Sequence, residues 1–167
     1  MEHEILFRAK AINRDAESFR TNYKNGDWVY GLVTRLYDER FENLPAEMTN
    51  TSGVSCIEVD YKTVGRFTGL TDRNGVRIFE GDILKRNNNP KEIVQVVFGK
   101  FPVIDMETES EVDEVIGWYC DVIPTDALSR TRPFCLPMPL TDYYINRCNS
   151  EVIGNIHDNP EMLKGEE

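Results

Sequence analysis

Short stretches of alternating apolar and polar residues, separated by residues typical of turns, run along most of the chain. Alternation with a period of two places apolar side chains on one face of a β-strand. It predicts strands over 5–10, 28–33, 56–60, 64–70, 76–79, 83–85, 92–98, 101–104 and 115–123, and a short strand from 151. Helical signals are rarer: Phe19 and Tyr23 lie four residues apart within 13–25, and Asn159 precedes Pro160 as a helix cap. Strands therefore outnumber helices, which favours a mainly β fold.

The densest part of this pattern is 64–85, VGRFTGLTDRNGVRIFEGDILK, which predicts strand, turn, strand, turn and strand. Asn74-Gly75 can supply positive φ at a hairpin, because glycine has no Cβ and asparagine tolerates the left-handed region. Gly81 marks a second bend, and Asp72 and Asp82 stand where carboxylates accept backbone N–H bonds in turns. The residues predicted to fix this structural signature are Gly69, Asp72, Asn74, Gly75, Gly81 and Asp82.

The fold predicted from this pattern is either a small SH3-like barrel or a compact β-sandwich, with one or two short helices and long loops. The 167 residues suffice for one domain with its own core. Within it, 1–50 can form an N-terminal lobe and 56–104 the signature core. An acidic and proline-rich region over 105–145 follows, and a C-terminal strand and short helix occupy 150–165.

Other segments carry signals of irregular structure. Residues 37–55, rich in acids, asparagine and threonine, are predicted to form a long excursion, and Gly99-Lys100 is predicted to turn the chain. Residues 124–141 contain four prolines, which disfavour regular structure. Residues 143–145 fit either a short strand or a turn of helix.

The signature segment resembles the YopX family of phage and prophage proteins, whose own signature runs close to YTGLKDKNGKEIYEGDIVK. Residues 4–9, EILFRA, are similar to the family's REIKFRAW, with Lys10 in place of its tryptophan, and 28–31, WVYG, also match a family segment. The tail 152–163, VIGNIHDNPEML, is similar to V-I-G-N-I-x-x-N-P-E-L-L. The resemblance implies a single YopX-like domain in a phage or prophage context, and it carries over no biochemical activity.

The formal net charge of −10 is unevenly placed along the chain. Residues 1–101 carry fifteen basic and fifteen acidic side chains, whereas 102–167 carry four basic and fourteen acidic ones. This surplus of acids argues against contact between the second region and nucleic-acid phosphates. The chain has no apolar run long enough to span a membrane and no signal-peptide pattern at its start, so we expect a cytoplasmic protein without membrane contact.

The sequence lacks the motifs of common catalytic centres. It contains no G-x-x-x-x-G-K-[ST] loop, G-x-S-x-G elbow, H-E-x-x-H or C-x-x-C, and it has only two histidines. The widely spaced cysteines, which we expect to be reduced and mostly buried, are Cys56, Cys120, Cys135 and Cys148. No catalytic residue, cofactor or metal ligand is therefore assigned. Asp72 and Asp82 remain the one carboxylate pair that a metal-dependent enzyme could use to bind magnesium.

Two charged clusters are candidate contact surfaces. The first, called the acid run, has no basic residue within it and comprises Asp105, Glu107, Glu109, Glu111, Asp113 and Glu114. We predict that it forms a loop that docks a basic protein surface. The second, called the cationic cluster, comprises Arg66, Arg73, Arg77 and Lys85. It is the alternative, a nucleic-acid face with nearby phenylalanines for stacking, although neighbouring acids (Asp72, Glu80, Asp82) are expected to balance its charge.

These observations favour a non-enzymatic phage or prophage accessory or regulatory protein that binds another protein, and we also expect it to form a homo-oligomer. The first alternative is a small barrel that binds single-stranded nucleic acid. The second alternative is a metal-dependent, nuclease-like enzyme.

Overall fold

The structure is a computed structural model that describes residues 4–13, 23–36, 46–54, 56–105, 107–108 and 110–164. Its mainly β character confirms the fold class predicted from the alternation of apolar residues. The strands are β1 (Phe7–Lys10), β2 (Trp28–Arg35), β3 (Ala46–Asn50), β4 (Ile57–Val59), β5 (Gly65–Thr71), β6 (Arg77–Phe79), β7 (Asp82–Lys85), β8 (Ile93–Ile104), β9 (Glu111–Val122), β10 (Met138–Pro139) and β11 (Glu151–Asn155). The described helices are α1 (Asp142–Arg147) and the 3-10 helices Tyr61–Thr63, Leu128–Arg130 and Pro160–Leu163.

The strands form two antiparallel sheets, with the orders β4-β3-β2-β1-β5-β6 and β10-β9-β8-β7-β11. Both sheets are open in the part of the chain that the structure describes, so the small closed barrel is not found there. The chain divides into two compact units, Met1–Phe67 and Thr68–Glu167, with the boundary inside β5. The four sequence regions predicted above remain a prediction.

The core of the first unit lies against β2, which pairs with β1 from Phe7↔Gly31 to Lys10↔Trp28. Its buried residues come from β1 to β4 and the adjoining Ala11, and they are Ala9, Ala11, Val29, Ala46, Met48, Ile57 and Val59. The buried positions of β3 and β4 alternate, as the period-two pattern requires.

The prediction of a long excursion over 37–55 is wrong for residues 46–50, which form strand β3. Ala46 and Met48 are buried, and they pair with Val59 and Ile57 of β4. Because β3 also contains a glutamate and an asparagine, which are poor strand formers, its pairing with two neighbouring strands decides its structure more than intrinsic propensity does. Residues 37–45 and 55 lie outside the described residues, as does most of the helical turn predicted within 13–25.

The second unit is built around β7, which is buried on both faces. Leu84 packs in a cluster with residues of β6, β8, β9 and α1, whereas Ile83 packs with Ile93 and Ile123. Both side chains are fully buried. A strand that is covered on both sides contains consecutive apolar residues, as β7 does at Ile83 and Leu84.

The structure corrects or refines three local predictions in the second unit. Gly99-Lys100 is not a turn, because β8 continues through it and Gly99 pairs with Gly117 of β9. The segment 124–141 does contain short regular elements, and Pro139 lies in the edge strand β10, where a missing N–H removes no sheet bond. Residues 143–145 belong to α1, whose N-cap Thr141 accepts the N–H of Tyr144 at 3.2 Å.

Asn159 precedes a 3-10 helix, as its sequence context predicts, although its side chain does not cap it. Its Oδ1 instead accepts the backbone N–H of Asn155 at 3.3 Å. No helix among the described residues has both the length and the apolar character needed to cross a membrane.

Candidate functional site

The second unit contains a hairpin of two twelve-residue strands, β8 and β9, paired from Val94↔Val122 to Ile104↔Glu111. Strand β7 pairs with β8 over 93–95, and β10 pairs with β9 at Tyr119 and Cys120. Beyond those positions, residues 97–104 and 111–118 pair with each other and with no other described strand, so they form a two-stranded extension. We call this extension the β8–β9 arm.

Asp105 closes the tip of the arm. Its Oδ1 accepts the backbone N–H groups of Glu107 at 2.8 Å and Thr108 at 3.0 Å, and its own N–H donates to the carbonyl of Ser110 at 2.9 Å. The bonds from Thr108 and Glu107 hold the pKa of Asp105 below its ordinary value. The carboxylate therefore stays ionised at neutral pH and fixes the turn.

The acid run is only partly a loop, which corrects the prediction. Glu111, Asp113 and Glu114 lie on β9, and all three are exposed, as is Glu107 in the turn. Backbone pairing with β8 orders these side chains along one strand of the arm. Glu109 lies outside the described residues.

Lys100 of β8 reaches the acid run and partly compensates its charge. Its Nζ lies 2.6 Å from Oε1 of Glu114, and this hydrogen bond raises the pKa of Lys100. The acid run has no basic residue within its own sequence, and strand pairing brings one to it from β8. The contact connects a diagonal pair across the hairpin, because Lys100 itself stands opposite Ile116.

Apolar side chains are exposed beside these acids. Val103 pairs with Asp113 and Ile104 with Glu111, so Val112 is the extra residue of a β-bulge and is 60% exposed. Ile116 is 68% exposed on the same strand. The arm thus presents both negative charge and apolar surface.

The three signature glycines have a left-handed backbone, Gly69 within β5 and Gly75 and Gly81 in turns. The φ angles of Gly69, Gly75 and Gly81 are 85°, 82° and 80°. Asn74 occupies the position before Gly75, where its N–H donates to Oδ1 of Asp72 at 2.8 Å. The turns predicted at Asn74-Gly75 and Gly81 therefore lie where the sequence places them.

The two signature carboxylates are buried and bind backbone N–H groups. In addition to the N–H of Asn74, Oδ1 of Asp72 accepts the N–H of Val76 at 2.9 Å. Its Oδ2 accepts the N–H of Val152 at 3.0 Å. Asp82 is 1% exposed, and its Oδ2 accepts the N–H of Phe79 at 2.8 Å. Acceptance of backbone N–H groups therefore explains why both positions carry a carboxylate. The described residues contain no cluster of three or more His, Cys, Asp or Glu side chains suited to a metal ion.

Two members of the cationic cluster share one carboxylate partner. Arg73 Nε lies 3.5 Å from Oε1 of Glu151, and Lys85 Nζ lies 3.2 Å from its Oε2. The hydrogen bond from Lys85 is the main reason that the pKa of Glu151 lies below its ordinary value. Arg66 lies on β5 in the first unit and Arg77 on β6 in the second.

Glu151 and Lys100 are partners that sequence reasoning missed. Glu151 stands opposite Lys85 in the β7–β11 register, a pairing between segments far apart in sequence. The turn predicted at Gly99-Lys100 hides the position of Lys100 on β8. A hairpin centred on the acidic tip would have placed residue 100 near 114.

All four cysteines have free thiols. Cys120 is buried, Cys135 and Cys148 are half-buried, and Cys56 is exposed, so the prediction of mostly buried thiols is wrong for Cys56. Burial raises the pKa of the Cys120 thiol, which is therefore protonated at neutral pH.

Comparison with known proteins finds a matching family and similar solved structures. The family model described as YopX protein matches residues 18–164. The crystal structure of protein EF1440 from Enterococcus faecalis is similar at 24% sequence identity and a TM-score of 0.41, covering 96% of this chain and 99% of that chain. No curated protein matches the chain.

Proposed function

The chain belongs to the YopX family, and from this premise we propose that it is a non-enzymatic phage or prophage accessory or regulatory protein that binds a basic protein partner. The observation that carries the proposal is the β8–β9 arm, which presents exposed acids beside exposed apolar side chains. A cytoplasmic location is part of the same proposal.

The charge of the arm supports a basic partner. Lys100 neutralises Glu114, but none of the described residues forms an ion pair with Glu107, Glu111 or Asp113. A local surplus of one sign attracts a surface of the opposite sign and accelerates its association. The field of the arm thus favours proteins that carry lysine and arginine at their contact surface.

The apolar residues supply a second ingredient of a protein interface. Val112 and Ile116 expose more than half of their surface, and burial of such side chains is the main source of favourable free energy in association. An isolated two-stranded hairpin is only marginally stable in water. A partner that covers the arm would therefore also stabilise it.

The test replaces the acids whose charge is not balanced. We expect Glu107→Gln combined with Glu111→Gln and Asp113→Asn to reduce capture of the basic partner from an infected or lysogenic host by about tenfold or more. Stability should change by no more than about 0.5 kcal/mol, since all three side chains are exposed. Quantitative mass spectrometry of the captured proteins and thermal unfolding measure the two effects.

The matched control removes three acids elsewhere in the second unit. Asp121→Asn, Asp142→Asn and Glu161→Gln change the net charge equally and affect exposed positions. Their combination should capture the partner as wild type does. Equal loss with both triple variants would mean that only net charge matters, and full capture by the arm variant would refute the proposal.

The nucleic-acid alternative receives less support, because Arg73 and Lys85 both bind Glu151. It would take precedence if Arg73→Ala and Arg77→Ala abolished salt-dependent binding of short oligonucleotides while the arm variant retained it. Calorimetric titration with magnesium or manganese tests the metal-dependent alternative at Asp72 and Asp82. Light scattering tests the proposed homo-oligomer.

A further inference from the structure

A cavity of about 340 Å³ lies in the second unit, at the end of β8 and β9 opposite the tip of the arm. Ile93, Val94 and Val122 form its apolar floor. One wall is the 86–92 loop between β7 and β8, and the other is formed by residues of 126–134. The volume is in the range of small-molecule sites, which combine an apolar body with a few polar groups.

The 86–92 wall carries two cations, Arg86 and Lys91, and none of the described residues forms an ion pair with either. The acid on this wall, Glu92, is instead held by amides: its Oε2 accepts Asn87 Nδ2 and its Oε1 accepts Asn89 Nδ2, both at 2.9 Å. Glu92 therefore braces the loop between its own neighbours and forms an ion pair with neither cation, while its carboxylate adds a negative charge to the cavity lining.

Arg86 has a neutral neighbour beneath it. Its guanidinium lies close enough to the Cys120 thiol to oppose the rise in pKa that burial causes there. Because a protonated thiol carries no charge, the contact positions Arg86 without neutralising it. The planar guanidinium keeps further N–H donors for an oxyanion.

The loop that carries these cations is held in place on both sides. Asn87 and Asn88 have φ angles of 51° and 55°, a conformation that needs support from its surroundings. Asn87 donates its backbone N–H to the carbonyl of Cys148 at 2.6 Å. On the other side, Thr125 Oγ1 donates to the carbonyl of Lys91 and so connects the two walls.

The opposite wall sets the orientation of a ligand. Asp126 is fixed by the N–H of Ser129 at 2.8 Å, a backbone bond that also holds its pKa below the ordinary value. The charge of Lys91 also lowers the pKa of Asp126, so Lys91 lies within electrostatic reach of both walls. The Asp126 carboxylate repels an anion, so an anionic group is favoured at the 86–92 wall, where Arg86 and Lys91 lie. Leu128 and Phe134 are each 56% exposed at the rim and can cover an apolar ring.

We propose that this cavity binds a small aromatic anion, a ring that carries a carboxylate or phosphate group. The anionic group contacts Arg86 and Lys91, and the ring lies over Ile93 and Val122 beneath Phe134. This site is separate from the arm, and the proposed binding of a basic partner does not involve it.

The test uses phenyl phosphate and benzoate as probes, with phenol and inorganic phosphate as partial probes that lack the charge or the ring. In NMR titrations, we expect saturable shifts of the Val94, Val122 and Leu128 methyl signals with either complete probe. Each partial probe should bind at least about tenfold more weakly than its complete counterpart. Comparison of phenyl phosphate with benzoate decides which anionic group the site prefers.

Two charge variants test the orientation with opposite expected signs. Lys91→Gln should weaken phenyl phosphate binding by about tenfold, whereas Asp126→Asn should strengthen it. Lys62→Gln, an exposed lysine of the first unit, should leave binding unchanged. Because Lys91 is exposed, its replacement should not unfold the protein, and the unshifted signals outside the cavity verify this.

Three results would each overturn the proposal: no saturable shift at the cavity methyl groups, phenol binding as tightly as phenyl phosphate, or equal weakening by Lys91→Gln and Lys62→Gln. Stronger binding by Lys91→Gln or weaker binding by Asp126→Asn would also contradict it.

Discussion

Gly75 and Gly81 adopt the same left-handed backbone in different surroundings. A Cβ built on Gly75 would meet nothing within 4 Å, whereas one on Gly81 would lie 3.3 Å from side-chain atoms of Ile156. The first position therefore requires glycine only for its backbone conformation, and the second also for the space it leaves. This difference gives the two turns different tolerance to substitution.

We expect Gly75→Ala to lower the free energy of unfolding by about 1 kcal/mol or more, and Gly81→Ala to lower it further. Gly99→Ala should be nearly neutral, because its Cβ would make an ordinary contact of 3.8 Å with Tyr119. Gly75→Asn should cost less than Gly75→Ala, since asparagine tolerates positive φ. Urea denaturation measures all four, and negligible losses at both turn glycines would contradict the assigned conformation.

Among the elements, the signature hairpin is attached to β11 through one side chain. Asp72 accepts two N–H groups of its own turn and the N–H of Val152, which lies eighty residues further along the chain. The carboxylate thus connects a local turn to a distant strand of the second unit.

We expect Asp72→Asn to destabilise the protein by about 1–3 kcal/mol. Both carboxylate oxygens accept backbone N–H groups, and the amide nitrogen that replaces one of them cannot accept a hydrogen bond. Denaturant unfolding measures this loss. Asp121→Asn, at an exposed position of β9, serves as the control and should stay within about 0.5 kcal/mol of wild type. A similar small effect at Asp72 would show that its three bonds contribute little.

The Glu151 pairs predict a dependence of stability on pH. Since the pKa of Glu151 is lowered in the folded protein, its contribution is present above the ordinary value of 4.5 and is lost as the pH falls through the lower folded value. Glu151→Gln should therefore be less stable than wild type at neutral pH and lose less stability on acidification. Unfolding midpoints measured between about pH 3 and pH 7 test this, and parallel curves would contradict it.

The sequence was informative where an element depends on its own residues. Asn74-Gly75, Gly81 and the strands around them follow from local backbone preferences and alternation, and the structure places them there. Strand β3 and the ion pairs of Glu151 and Lys100 depend on which distant segments become neighbours. The pairing of strands determines which distant segments become neighbours, and no local sequence pattern encodes this pairing. The cavity was likewise inaccessible to sequence reasoning, because its walls come from two separate segments.

For the whole molecule, the dominant electrostatic feature is the surplus of acids after residue 101. Charges exposed to solvent act over about 10 Å at 0.1 M salt. We expect the rate of association with a basic partner to fall as salt is added, with little change in the rate of dissociation. Surface plasmon resonance with the captured partner measures both rates.

The arm variant Glu107→Gln, Glu111→Gln and Asp113→Asn should show a weaker dependence of the association rate on salt than wild type. A dissociation rate that carried most of the salt effect would indicate that the charged groups act in the bound complex more than during approach.

The two-stranded arm also has consequences for how copies of the protein behave in a crowded solution. Along the arm, no other described strand pairs with the outer edges of β8 and β9. Such open edges are where identical chains join into extended aggregates. Acids and the bulge at Val112 obstruct that pairing, because a second copy would bring like charges together across an irregular edge. The same residues that would attract a basic partner therefore also protect the protein from adding strands to itself.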